Sequence, residues 1–201
     1  MKKQVLVIHG GNAFDTYEKY IAYLTNKKLT LDDLEVSGWK QSLGKALGKD
    51  FEVFLPQMPN ARNARYLEWK IWFEKIIPLL NEEIVLVGHS LGGLFLAKYL
   101  SENDCSKKIV ATFLVAAPFN TKTKFDFVDF VLKDNSLKKM NKQGGKIFIF
   151  QSEDDEVVPY ADSKKYKKVL PDSKMIVFKD RGHFHQPNFP EIVKEIKKVL
   201  N

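Results

Sequence analysis

The sequence predicts an α/β fold: one domain of about six mostly parallel strands, flanked by helices on both faces. Three observations predict it. Short runs rich in Val, Ile and Phe recur along the 201 residues. Most of them lack polar alternation, as strands do when both sheet faces are covered. Helix-like segments separate them, and alternating strands and helices build a parallel sheet through crossover connections.

The elements follow in order. Met1-Lys2-Lys3 precedes an apolar stretch too short for a signal peptide, so residues 5–8 read as the first strand. A long connection, 15–49, carries a predicted helix at 17–24, and long connections in such domains tend to be lids or binding elements. The second strand is 51–55. Residues 65–80 read as a helix with Leu67, Ile71, Ile76 and Leu80 on its recurring face and Pro78 near its end. The third strand, 84–87, leads into an apolar helix at 91–100. The fourth, 109–115, leads into a second long connection, 119–145. Residues 147–150 and 175–178 are the last strands, followed by helices at 163–170 and 191–200, with Asn188 and Glu191 spaced as a capping box for the final helix.

Composition narrows the function classes. Hydrophobic content of 44% and charged content of 28% are ordinary for a globular chain. The one cysteine, Cys105, excludes an internal disulfide and fits a reducing compartment, so a cytoplasmic location is expected. No apolar run approaches the ~18 residues of a membrane span. The net charge of +7 comes from lysine, with arginine only at 62, 65 and 181. Nucleic-acid readers favour arginine for bidentate contacts, so the lysine excess reads as a solvated basic surface and no nucleic-acid partner is expected. No His/Cys/carboxylate cluster has metal-ligand spacing, and no metal or organic cofactor is expected.

The segment Ile84-Val85-Leu86-Val87-Gly88-His89-Ser90-Leu91-Gly92-Gly93 carries the chemistry. Gly88-x-Ser90-x-Gly92 between a strand and a helix is a nucleophile elbow. Its serine sits on a strained turn, lifted from the sheet's carboxyl end. Glycines on either side admit neighbouring backbone that a Cβ would exclude. A serine needs a base. His183, after Gly182 and the last strand, is the candidate, with His185 second. Asp155, in the acidic loop after the fifth strand and ahead of Val157-Val158-Pro159, is the candidate carboxylate, with Asp154 second. Oxyanion donors are expected from the backbone N–H of Leu91 and from the His9-Gly10-Gly11-Asn12 loop, at Gly11 first and Asn12 second.

Together these residues resemble the α/β-hydrolase superfamily, in which the order Ser, Asp, His is the expected one. Within it the chain is similar to small serine hydrolases of the retinoblastoma-binding and YdeN types. Pro56-Gln57-Met58-Pro59-Asn60 and Glu68-Trp69 support that narrower likeness. The resemblance implies hydrolysis of small carboxylic esters or thioesters through an acyl-enzyme on Ser90. An amidase or peptidase with the same triad, or a non-catalytic binding protein on this fold, are the alternatives. The Leu-x-Cys-x-Glu motif is absent, since Cys105 lies in Asn103-Asp104-Cys105-Ser106, so no retinoblastoma-type partner is implied. Phe127 and Phe130 in the 119–145 connection are expected to wall an apolar acyl pocket; a core-facing helix is the other reading.

Overall fold

The computed structural model describes residues 1–31, 38–119, 127–132 and 137–200. Its six strands are β1 (Lys3–Ile8), β2 (Phe51–Phe54), β3 (Glu83–His89), β4 (Lys108–Val115), β5 (Lys146–Ser152) and β6 (Lys174–Phe178). All neighbouring pairs are parallel, in the order β2-β1-β3-β4-β5-β6. The chain therefore turns one way from β1 to β2 and the other way from β3 onward. Open parallel sheets bind ligands at the carboxyl ends of the strands flanking such a reversal, here β1 and β3.

The helices are α1 (Tyr17–Asn26), α2 (Trp39–Leu47), α3 (Tyr66–Ile76), α4 (Leu91–Glu102), α5 (Leu137–Gln143), α6 (Tyr160–Val169) and α7 (Pro190–Leu200). Alternate strand residues divide between two apolar layers. Leu6, Ile8, Leu86 and Leu114 pack with Trp69 and Phe73 of α3, with α4 and with Tyr166 of α6. Val5, Val7, Val85, Val87, Phe113 and Phe150 pack with Trp39, Leu43 and Leu47 of α2 and with Ile192 and Ile196 of α7. Helix α4 is buried along ten consecutive residues, Leu91 to Leu100, as expected of a helix apolar on every side.

Four local readings change. Leu67 and Ile71 are 61% and 48% exposed, whereas Trp69 and Phe73 are fully buried. The aromatic stripe takes the core because its rings bury more surface and the Trp69 indole N–H reaches the Pro59 carbonyl at 2.8 Å. Helix α7 starts at Pro190, so Asn188 lies too early to cap it, and Glu191 instead accepts from Arg181 at 2.8 Å. Pro190 is suited to a first helical turn because the N–H it lacks has no intrahelical partner there. The 119–145 connection contains a 3₁₀ turn, Val128–Phe130, and α5 among its described residues, with Phe125 outside them. Helix α2, which the sequence reading does not name, packs Trp39, Leu43 and Leu47 at four-residue spacing against the sheet.

Candidate active site

The turn between β3 and α4 is an elbow. Ser90 has φ 54° and ψ −125°, a left-handed conformation costly for any residue but glycine. Its backbone is held at both ends. The N–H donates to Val115 O at 2.8 Å, and the carbonyl accepts from Gly93 N at 2.9 Å. A Cβ at Gly88 would lie 2.6 Å from Gly92 O, and one at Gly92 would collide with the carbonyls of Ile8 and His9. Thus β1, β3 and α4 approach more closely here than any side chain permits.

The loop after β5 and the loop after β6 meet beside Ser90. Asp155, buried, receives His183 Nδ1 at 2.9 Å on Oδ2. Its Oδ1 accepts from the N–H groups of Val157 and Val158 at 2.8 and 2.9 Å, and Gln151 Nε2 donates to Oδ2 at 3.1 Å. The Val157-Val158 segment therefore grips the carboxylate through its main chain as well as anchoring the loop. Asp154 is exposed and supports the backbone rather than the histidine ring. Its Oδ1 accepts from Gly182 N–H at 2.9 Å and so fixes the turn that presents His183. Hydrogen bonding from Ser152 holds the Asp154 carboxyl below the usual carboxylate range. His185 is exposed, with its ring 5.5 Å from that of His183 and no carboxylate hydrogen bond among the described residues. Ser90 Oγ and His183 share no direct hydrogen bond here; such contacts are commonly loose before substrate binds.

On the opposite side, the His9-Gly10-Gly11-Asn12 loop is braced from below. Met58 N–H donates to His9 Nε2 at 2.9 Å, so Nδ1 carries the proton that reaches Gly10 O at 2.6 Å. Both ring nitrogens serve only in the neutral imidazole, and burial pushes the His9 pKa down. The Asn12 N–H is committed to Ala61 O at 2.8 Å, which removes it as an oxyanion donor. The Gly11 N–H makes no such bond among the described residues. A Cβ at Gly11 would sit 2.5 Å from Ala61 O. Leu91, the first residue of α4, has an N–H with no intrahelical acceptor.

One cavity of about 570 Å³ is lined by Gly11, Ser90, Leu91, Phe127, His183 and His185 among others. Phe130, expected on that wall, is instead fully buried, 5.4 Å ring to ring from Trp69 and 5.9 Å from Tyr66. The cause is the shortness of the turn. Asp129 accepts the Tyr66 N–H at 2.9 Å, pinning the turn to the start of α3 and directing Phe130 into the aromatic nest while Phe127 faces the cavity.

Three residues that sequence reasoning passed over also shape the site. Trp39 of α2 donates its indole N–H to Phe184 O at 2.9 Å, and its main-chain N–H to Gln186 O at 3.0 Å, clamping the loop that carries His183. His89 is buried, with Nε2 donating to His183 O at 2.9 Å. Lys40 lies 3.5 Å from His89 Nδ1. The Trp39, Leu43, Leu47 periodicity was the available signal for α2; nothing local marks His89 or Lys40.

The serine hydrolase family profile matches residues 32–198. Serine hydrolase RBBP9 of Rattus norvegicus is 25% identical, covering 84% of this chain and 89% of that protein. The YdeN protein of Bacillus subtilis (strain 168) is 24% identical, over 92% of this chain and 87% of its own length. The solved structure of the B. subtilis ydeN product superposes with a TM-score of 0.78 at 21% identity, covering 99% of each chain. Naproxen esterase of the same species superposes with a TM-score of 0.64 at 10% identity, covering all of this chain and 84% of its own. At these identities the superpositions show a shared α/β-hydrolase fold.

Proposed function

Because the chain belongs to the serine hydrolase family, we propose that it cleaves carboxylic esters or thioesters through an acyl-enzyme on Ser90. One observation carries the reading: His183, held by the buried Asp155 at 2.9 Å, lines the same cavity as a serine held at φ 54° on a strand-to-helix elbow. Ser90 Oγ attacks the acyl carbon while His183 Nε2 takes its proton. Asp155 holds Nδ1–H and stabilises the imidazolium that forms. The carbonyl oxygen becomes an oxyanion, and the N–H groups of Leu91 and Gly11 donate to it. Collapse expels the alcohol or thiol, protonated by His183. Water, deprotonated by the same ring, then opens the acyl-enzyme and releases the acid.

The test is labelling with a fluorophosphonate, followed by turnover of 4-nitrophenyl esters of increasing chain length. Labelling at Ser90 with ester turnover supports the reading. An unlabelled Ser90, or turnover retained by Ser90→Ala, overturns it.

A further inference from the structure

The cavity contains a cation that the acyl-transfer chemistry does not use. Lys40, in the first turn of α2, is half-buried and lines the same wall as Ser90, His183 and His185. Nζ stands 3.5 Å from His89 Nδ1 and 5.2 Å from the Trp39 ring centre, and among the described residues no carboxylate pairs with it. His89 Nε2 must donate to the His183 carbonyl, so Nδ1 is an acceptor and engages one of the three ammonium protons. No Asp or Glu is among the described residues lining the cavity, whereas Lys27, Lys40 and four histidines are. A half-buried lysine is stabilised by a counter-charge; none pairs with it among the described residues, and the ammonium borders an open cavity that can admit one.

Resting on the acyl-enzyme reading, we propose that Lys40 selects anionic substrates: esters or thioesters whose carboxylate or phosphate group docks on the Lys40 ammonium while the acyl carbon meets Ser90. The ammonium is a point charge, suited to either anion. Its charge projects into the site, for it helps lower the proton affinities of His9, His89 and His185. Burial lowers Lys40 itself to about 8, so it is charged at neutral pH and titrates just above it. Among the described residues, the charged or titratable groups that line the cavity with it are His9 after β1, His89 at the end of β3, His183 and His185 after β6, Tyr23 of α1 and Lys27 just after it.

The experiment compares kcat/KM for 4-nitrophenyl half-esters of succinate, glutarate and adipate with neutral esters of equal length, and adds the 3-phosphonopropionate ester. The expected anionic-to-neutral ratio is about tenfold or more, the range of a hydrogen bond between charged partners. Lys40→Met should collapse that ratio, Lys40→Arg should keep most of it, and the wild-type ratio should fall as pH rises through about 8. The succinate-to-phosphonate comparison identifies the anion. A wild-type ratio near one, or a ratio that Lys40→Met leaves standing, overturns the proposal while the acyl-enzyme reading survives. If Ser90 takes no fluorophosphonate, that reading fails instead. Thermal shifts with glutarate and with inorganic phosphate then decide on Lys40 separately: a Lys40-dependent shift upholds anion binding, and none refutes it.

Discussion

Helices α4 and α1 both contribute to the cavity wall, through Leu91 and Tyr23, and differ sharply in packing. Ten consecutive residues of α4 are buried, whereas no residue of α1 is. The α4 side carries Ser90 and Leu91, held by β1 and β3 through glycine contacts that admit no Cβ. The α1 side offers Tyr23, whose hydroxyl meets Asn12 at 3.3 Å, and Lys27 just beyond the helix. A reacting group must be placed to a fraction of an ångström, which packing on all sides provides. A wall that admits substrate needs only shape and polarity, and a weakly packed helix can open at little cost.

The comparison breaks first at Ser90. Ser90→Ala should lower kcat by about 10⁶-fold, as for removal of a triad nucleophile, with the melting temperature unchanged or raised. A destabilised variant would mean that the elbow depends on the hydroxyl. The next test lies in the loop after β5. Asp155→Asn should reduce kcat by roughly 10⁴-fold, because an amide favours the wrong histidine tautomer. Asp154→Asn keeps an acceptor for Gly182 N–H, and steady-state kinetics should show a much smaller loss. Equal losses would make Asp154 a partner in the proton path rather than a support for the turn.

The third test sets Phe130 against Phe127. Phe130→Ala should cost about 3–5 kcal/mol in chemical denaturation, with chain-length preference unchanged. Phe127→Ala should cost far less and shift preference toward longer acyl chains. The opposite pattern would put the core on the wrong side of the turn. The smallest effect is expected at α1. Thr16 caps that helix by accepting Lys19 N–H at 3.3 Å, and Thr16→Ala should cost about 1 kcal/mol locally. Hydrogen exchange should quicken in α1 alone, with global stability intact. Loss of protection in α4 as well would show that the two sides are coupled.

Acidity reads the packed side in another way. Burial holds His89 well below its ordinary pKa, and His9 is lowered by the same cause. Each unfolded histidine takes a proton near pH 6.5 that the folded protein refuses. Their contribution is therefore complete above about pH 6.5 and is lost as pH falls toward the folded values. The urea midpoint should decline over that acid range, and His89→Gln, which can still donate to His183 O, should flatten the decline.

Much of this architecture follows from local patterns. Buried strands need apolar runs, and the runs at 5–8, 84–87 and 109–115 lie within β1, β3 and β4. The elbow was legible because close approach of three backbone segments demands glycine at 88 and 92, a demand written into the residues themselves. Chain order alone set His183 and Asp155 beside their strand ends. The tertiary structure decided what depends on partners distant in sequence. Asn12 loses its free amide to Ala61, and Asp154 serves the Gly182 turn, because of hydrogen bonds that no local pattern records. Phe130 joins the core because Asp129 ties its turn to α3, 63 residues away in sequence. Lys40 faces a cavity because α2 packs beneath the loop that carries His183, and only three-dimensional packing can strip a surface-type residue of its water.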